Sequence, residues 1–296
     1  MTAAADLPVT ARRANPERHT SNQHRRGTAA ALLLALAAAA GLAAVCLGFV
    51  LADAPVPAGA VLMGRWIPSL ASLALLLLLP PLAGEPERLS RRIAHWWALL
   101  PGGPRPVLRI VTGSALAMIL LTGVYLMAAG LAHSLGAIEM QPARVLVPAL
   151  LSMIPIAVVF SVSTVGEEVV WRGHLPALLA PLGFWGSSAV IALAWTVFHL
   201  PLHAAYVWEG SISVATAGML TAGLVPLSLF LSAAAARWGT VWPAVFAHAL
   251  PFTAVSLAAG GAELAPEALG AVTGITAVLL VSAALVLAPV RAPRAV

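Results

Sequence analysis

The chain has 296 residues, 60% of them hydrophobic and only 9% charged, with a mean hydropathy of +0.94. A water-soluble domain carries roughly 25% charged residues, so composition excludes a soluble globular enzyme and leaves room for about eight membrane helices of roughly 20 residues each. All 16 basic residues are arginine. They lie between apolar stretches, which suits orientation in a bilayer better than nucleic-acid binding. A single cysteine, Cys46, excludes an intrachain disulfide and a cysteine-built metal site.

Residues 1–27 are polar and contain Arg12, Arg13, Arg18, Arg25 and Arg26; they are expected to form a disordered basic tail. The apolar run that follows, 28–52, is longer than the roughly 7–15 residues of a cleaved signal peptide, so it reads as a retained first span. Further spans are expected at 66–84, 108–132, 145–168, 185–207, 212–236, 241–260 and 266–290, with a short tail at 291–296. The fourth is expected to continue as a more polar helix through Arg172 towards Leu179. Runs of this length suit helices and not the alternating strands of a barrel. The predicted fold is thus an all-α polytopic bundle of about eight helices over residues 28–290.

Arginine placement orients the map. With the first tail in the cytoplasm, every arginine except Arg65 and Arg144 falls on the cytoplasmic side or at an adjoining helix end, the bias that the positive-inside rule requires. Both termini are therefore expected in the cytoplasm. The pairs Arg91-Arg92 and Trp96-Trp97 read as interfacial anchors facing membrane lipid.

Ionisable side chains inside a bilayer are costly and each needs a reason. The C-terminal half concentrates Glu167, Glu168, Arg172, His174, His199, His203 and His248 in three predicted spans. Glu168 and Arg172 are four apart on a helix and can pair. That leaves Glu167, about 100° away, as the unpaired carboxylate suited to a general base acting on water. Its bland reading, that all three mark the end of a span, carries equal weight when the motif stands alone. His199 and His203 are also four apart, a spacing able to chelate a metal, but Pro201 lies between them and bends the helix. A lone buried histidine is more often a packing residue. His174 reads as a surface position, His203 as an extra polar wall of a cavity, and Trp171 and Trp195 as pocket lining or plain packing. One free carboxylate and two imidazoles on separate helices are what amide hydrolysis requires.

These residues resemble the CPBP family of intramembrane proteases, which includes the type II CAAX prenyl endopeptidases and the bacterial Abi proteins. Glu167, Glu168 and Arg172, followed by Gly173, match its first motif. Trp195 and His199 match the second, with Trp where Phe is usual. His248 matches the third, whose asparagine is replaced by Phe252. The resemblance covers about residues 145–260 and implies cleavage of a peptide bond near the cytoplasmic side, from a cavity open to the cytoplasm. In that role Glu167 activates water, Glu168 and Arg172 support it, and His199 and His248 orient water or bind a metal. Both a divalent metal such as Zn2+, held by Glu167, His199 and His248, and a metal-independent route are open.

Phe252 removes a donor to the developing oxyanion, and Thr253 is a substitute turned about 100° away. Loss of one such donor costs on the order of 10² to 10³ in rate. An alternative is therefore a catalytically impaired relative acting as a membrane binding or immunity protein; a third reading is a small transporter with a His and Glu proton relay. The expected partners are lipid and a peptide or membrane-protein substrate, lipidated or apolar, with no nucleic acid. An Ala-rich, lysine-free chain suggests a bacterial plasma membrane. The map contains one tension: Glu167 sits near the end of its span, whereas His199 lies about 14 residues, some 21 Å, into the next.

Overall fold

The computed structural model describes residues 16–78, 88–251, 253, 256–257 and 264–289, and among these there is no strand. In chain order the helices are α1 (Pro16–Leu51), α2 (Ala58–Gly64), α3 (Ile67–Leu78), α4 (Leu89–Trp96), α5 (Pro106–Ser134) and α6 (Ala143–Glu168). A π-helical stretch, Val169–His174, joins α6 to α7 (Leu175–Leu178), and a short turn leads to α8 (Gly183–Trp208). The remaining helices are α9 (Val214–Trp238), α10 (Trp242–His248) and α11 (Pro266–Leu287). Seven helical segments of the described residues are long and apolar enough to cross a membrane; α2 with α3 forms one of them and α6 through α7 another.

The distribution of side chains is the reverse of that in a soluble bundle. Leu32, Leu33 and Leu36 of α1, Val158, Val159 and Val162 of α6, and Leu285 and Val286 of α11 are exposed. Glu167, Glu168, Arg172, His174 and Ser72 are buried. Apolar surface outside and ion pairs inside are stable only where hydrocarbon replaces water as solvent. The protein is an integral membrane protein.

Close contacts fix the helix directions. The N-terminal part of α1 meets the end of α7 at Gly27 and Leu178, and the start of α5 meets the end of α9 at Gly113 and Trp238. α11 runs parallel to α9, because Gly270 faces Met219 and Gly223 faces Thr273. The start of α1 and the end of α11 consequently share one face with Leu178 and Trp238. We call it the arginine face, since Arg109 and Arg237 also lie there.

Three expectations change. α1 covers Pro16–Leu51, so residues 16–27 belong to the first helix and not to a disordered tail. Residues 1–15 and 290–296 lie outside the described residues. The second span begins at Ala58 and not at 66; residues 79–84 of the expected span lie outside the described residues. The expected span 241–260 is not one helix: α10 ends at His248, and Pro251 explains why, since the residue before a proline disfavours the α conformation.

The interfacial anchors are also corrected in part. Arg91 is exposed, but Arg92 and Trp96 are buried. The Arg92 guanidinium donates to the Leu76 carbonyl at the end of α3, and Trp97 Nε1 donates to Ser72 Oγ. Carbonyls left open at a helix end accept such donors, so these side chains tie α4 to α3.

Candidate active site

The depth tension disappears because the helix carrying Glu167 does not end there. It continues for eleven residues to Leu178, about 16 Å at 1.5 Å per residue. Pro176 is the reason for the π-helical turn: in α register its ring would meet the Arg172 carbonyl. The turn widens instead, and the Leu175 N–H bonds to the Val170 carbonyl five residues back. Glu167 is thereby set deep in the bundle, at the level reached by α8 around Trp195.

Two glycines of the motif allow the close approaches that build the site. A Cβ on Gly166 would lie 2.6 Å from the Arg65 carbonyl oxygen, and one on Gly173 would lie 2.8 Å from the Trp97 backbone. Only hydrogen fits at either position. The first contact brings the short connection between α2 and α3 against Glu167; the second docks the end of α4 on the π-helical stretch.

Glu167 is 1% exposed and its two oxygens have different partners. Trp195 Nε1 donates to Oε2 at 2.7 Å, and Arg65 Nε lies 3.5 Å from Oε1. His199 Nε2 is 3.9 Å from Oε2. His199 Nδ1 lies 2.8 Å from the Trp195 carbonyl, and a carbonyl only accepts, so Nδ1 carries the proton and Nε2 turns its lone pair inward.

Glu168 anchors a second cluster that adjoins the first. Arg172 Nε is 3.2 Å from its Oε2, and the guanidinium also lies 5.1 Å over the Trp195 ring. His248 Nδ1 donates to Oε1 at 2.8 Å. His248 is delivered there by the anchoring of α10 at both ends. Trp242 Nε1 and the Thr240 hydroxyl donate to carbonyls of the 98–99 turn, while the Thr164 hydroxyl of α6 donates to the Val245 carbonyl. Trp195 stands between the clusters, edge-on to both His199 and His248.

A cavity of about 80 Å³ opens beside Glu167, lined by Leu42, Gly64, Arg65, His199 and Leu202 among others. It is polar at one end and large enough for several waters. It extends from Glu167 toward Leu202, away from the arginine face.

The structure therefore brings together Glu167, Trp195 and His199, and beside them Glu168, Arg172 and His248. It separates the others. His203 bonds to Thr221 at 2.7 Å and reaches His199 only ring to ring, at 6.2 Å. Thr253 is exposed and engaged with Ser256, and Phe252 lies outside the described residues. His174 is a correction. It is buried, bonded to Ser72 at 2.8 Å and packed at a tilt against the Trp96 ring, because the helix carries it inward of the arginine face and not onto it. Arg65 is the residue that sequence reasoning missed. Its signal was present: it is one of two arginines that the topology could not place.

The donor set can be tested against a divalent metal. Among the described residues no three His, Cys, Asp or Glu side chains gather around one point. His248 Nδ1 is turned to Glu168, and the guanidinium of Arg65 stands 3.5 Å from Glu167 Oε1. A fixed cation repels a metal ion. This arrangement does not fit a zinc centre, which needs three or four ligands.

Residues 148–251 match the family described as type II CAAX prenyl endopeptidase Rce1-like. This stretch runs from within α6 to just past α10 and holds both clusters apart from Arg65. This part of the chain, about a third of it, is thus similar to the type II CAAX prenyl endopeptidases. No curated protein matches the chain.

Proposed function

We propose that the protein cleaves peptide bonds inside the membrane without a metal, with Glu167 as the general base. One observation carries this reading: a buried carboxylate and an imidazole lone pair face each other across 3.9 Å at the edge of a polar cavity. A water hydrogen-bonded to both would fit that gap. Glu167 takes one proton of this water as its oxygen attacks the scissile carbonyl carbon. His199 Nε2 accepts the other hydrogen and orients the attack. Trp195 holds Glu167 Oε2 in place, so its role is positioning. Glu168, clamped between Arg172 and His248, braces the base from behind, and His248 acts through Glu168 and not as a metal ligand.

The arginine face is cytoplasmic by the positive-inside rule, and the start of α1 and the end of α11 lie on it. The scissile bond is drawn to the depth of Glu167, about 16 Å from the end of its helix. The substrate is an apolar or lipidated peptide, or a membrane protein, of a bacterial plasma membrane. The test is comparative peptidomics of membranes containing the wild-type protein or Glu167→Gln. Fragments present only with wild type are expected; identical fragment sets would overturn the reading. Identical sets together with retained peptide binding would favour the second reading, a binding or immunity protein without turnover, which Phe252 at the motif asparagine supports.

A further inference from the structure

We infer that Arg65, which lies outside the stretch that matches the protease family, is a catalytic residue whose guanidinium stabilises the oxyanion formed when water attacks the peptide carbonyl. This rests on the proposed protease activity and adds to it the group that receives the developing negative charge. Three observations carry it. Arg65 lines the same small cavity as Glu167 and His199. The other walls there, Leu42, Val61, Phe198 and Leu202, provide no side-chain donor. The guanidinium is held loosely: Nε is 3.5 Å from Glu167 Oε1, Nη1 donates to Ser163 Oγ at 3.4 Å, and the side chain is 25% exposed.

Charge movement during the reaction makes the placement effective. At rest Arg65 faces the Glu167 carboxylate. The attacking water forms a C–O bond and gives its proton to Glu167, which becomes neutral. The carbonyl π pair moves to oxygen as an oxyanion. The negative charge has then left the carboxylate and appeared a few ångströms away in the same cavity, and the guanidinium follows it without a change in the net charge of the site. Arginine stays protonated throughout, so it serves as a donor and not as an acid. When the tetrahedral intermediate collapses the C–N bond breaks, the oxygen returns its pair to the carbonyl, and Glu167 passes its proton to the leaving nitrogen. A donor already in place at low dielectric avoids the cost of reorganising water. The placement argues against a remote role: Arg65 shares the cavity wall with Glu167 and His199, so a carbonyl attacked by a water held between those two lies beside its guanidinium.

The test uses the full-length protein in proteoliposomes and a quenched synthetic version of the peptide whose fragments separate wild-type from Glu167→Gln membranes. Arg65→Gln is expected to lower kcat by about 10² to 10³, the usual loss for one oxyanion donor, with KM changed less than about threefold. Arg65→Gly is expected to recover at least tenfold on addition of guanidinium ion. A phosphonate analogue of the peptide is expected to bind Arg65→Gln at least about tenfold more weakly than wild type, while the peptide itself binds both equally. A merely structural role would move neither the rescue nor the analogue. Full kcat in Arg65→Gln overturns the proposal while leaving Glu167 as base. A rise in KM alone, abolished by amidating the peptide C-terminus, overturns it in favour of carboxylate recognition. If Arg65→Gln does not fold, the rescue of Arg65→Gly and the kcat of Arg65→Lys decide; full kcat in Arg65→Lys or no rescue overturns the proposal. Absence of wild-type-specific fragments overturns the protease reading and this proposal together.

Discussion

Replacing Gly166 by alanine tests whether the α6 backbone sets the distance between Arg65 and Glu167. The added Cβ would lie 2.6 Å from the Arg65 carbonyl oxygen, 2.8 Å from Trp66 Cα and 3.0 Å from the Arg65 carbonyl carbon. All three atoms are backbone, so no side-chain rotation relieves the contact. Ordinary contact starts near 3.4 Å, so the two backbones must part by about 0.8 Å. The Arg65–Glu167 separation of 3.5 Å would grow to about 4.3 Å, beyond ion-pair distance. Overpacking of this kind costs about 1–3 kcal/mol, and a shift near 1 Å in a reacting constellation costs up to about 10² in rate. Gly130 on α5 is the control, because a Cβ there meets nothing within 4 Å. Gly130→Ala should be neutral or stabilising by roughly 0.5–1 kcal/mol. Thermal unfolding in detergent and cleavage of the wild-type-specific peptide read both quantities. Gly166→Ala with unchanged unfolding temperature and unchanged kcat would refute the claim that this contact positions the site.

Two further outcomes follow from the same geometry. His174→Ala should lower stability by about 1–3 kcal/mol, because the Ser72 hydroxyl loses one of its two partners in a buried setting. Turnover per folded molecule should change little, and a stability equal to wild type would show that the link to α3 is idle. Prolonged dialysis against a strong chelator should leave cleavage within about twofold of the untreated protein. An activity that disappears and returns with Zn2+ would show instead that Arg65 vacates its place for a metal.

Much of this protein was legible in the residues themselves. Continuous apolar runs can only be helices in lipid, because no water is present to satisfy an open backbone. The buried Glu167, Glu168, Arg172, His199 and His248 stood out because each is expensive there. The i,i+4 pairing of Glu168 with Arg172 followed from helical pitch alone and appears at 3.2 Å. Some errors were local and avoidable. Pro251 ends α10 by a rule readable from the sequence, and Pro176 signals the irregular turn after Glu168.

Other features depended on which helices meet, which no local pattern encodes. The placement of Arg65 beside Glu167 needs the α2–α3 connection to cross α6 at Gly166, a contact between residues about a hundred positions apart. His174 faces inward for the same kind of reason: a π turn and the docking of α4 decide which side of the helix is covered. The partition of the two glutamates, one on Trp195, Arg65 and the cavity, the other locked by Arg172 and His248, arises where four helices converge. Residue chemistry and helical period determined the membrane body and the set of groups able to do chemistry. Their mutual distances came from helix packing, because electrostatic and hydrogen-bond energies depend on ångströms that only the assembled bundle sets.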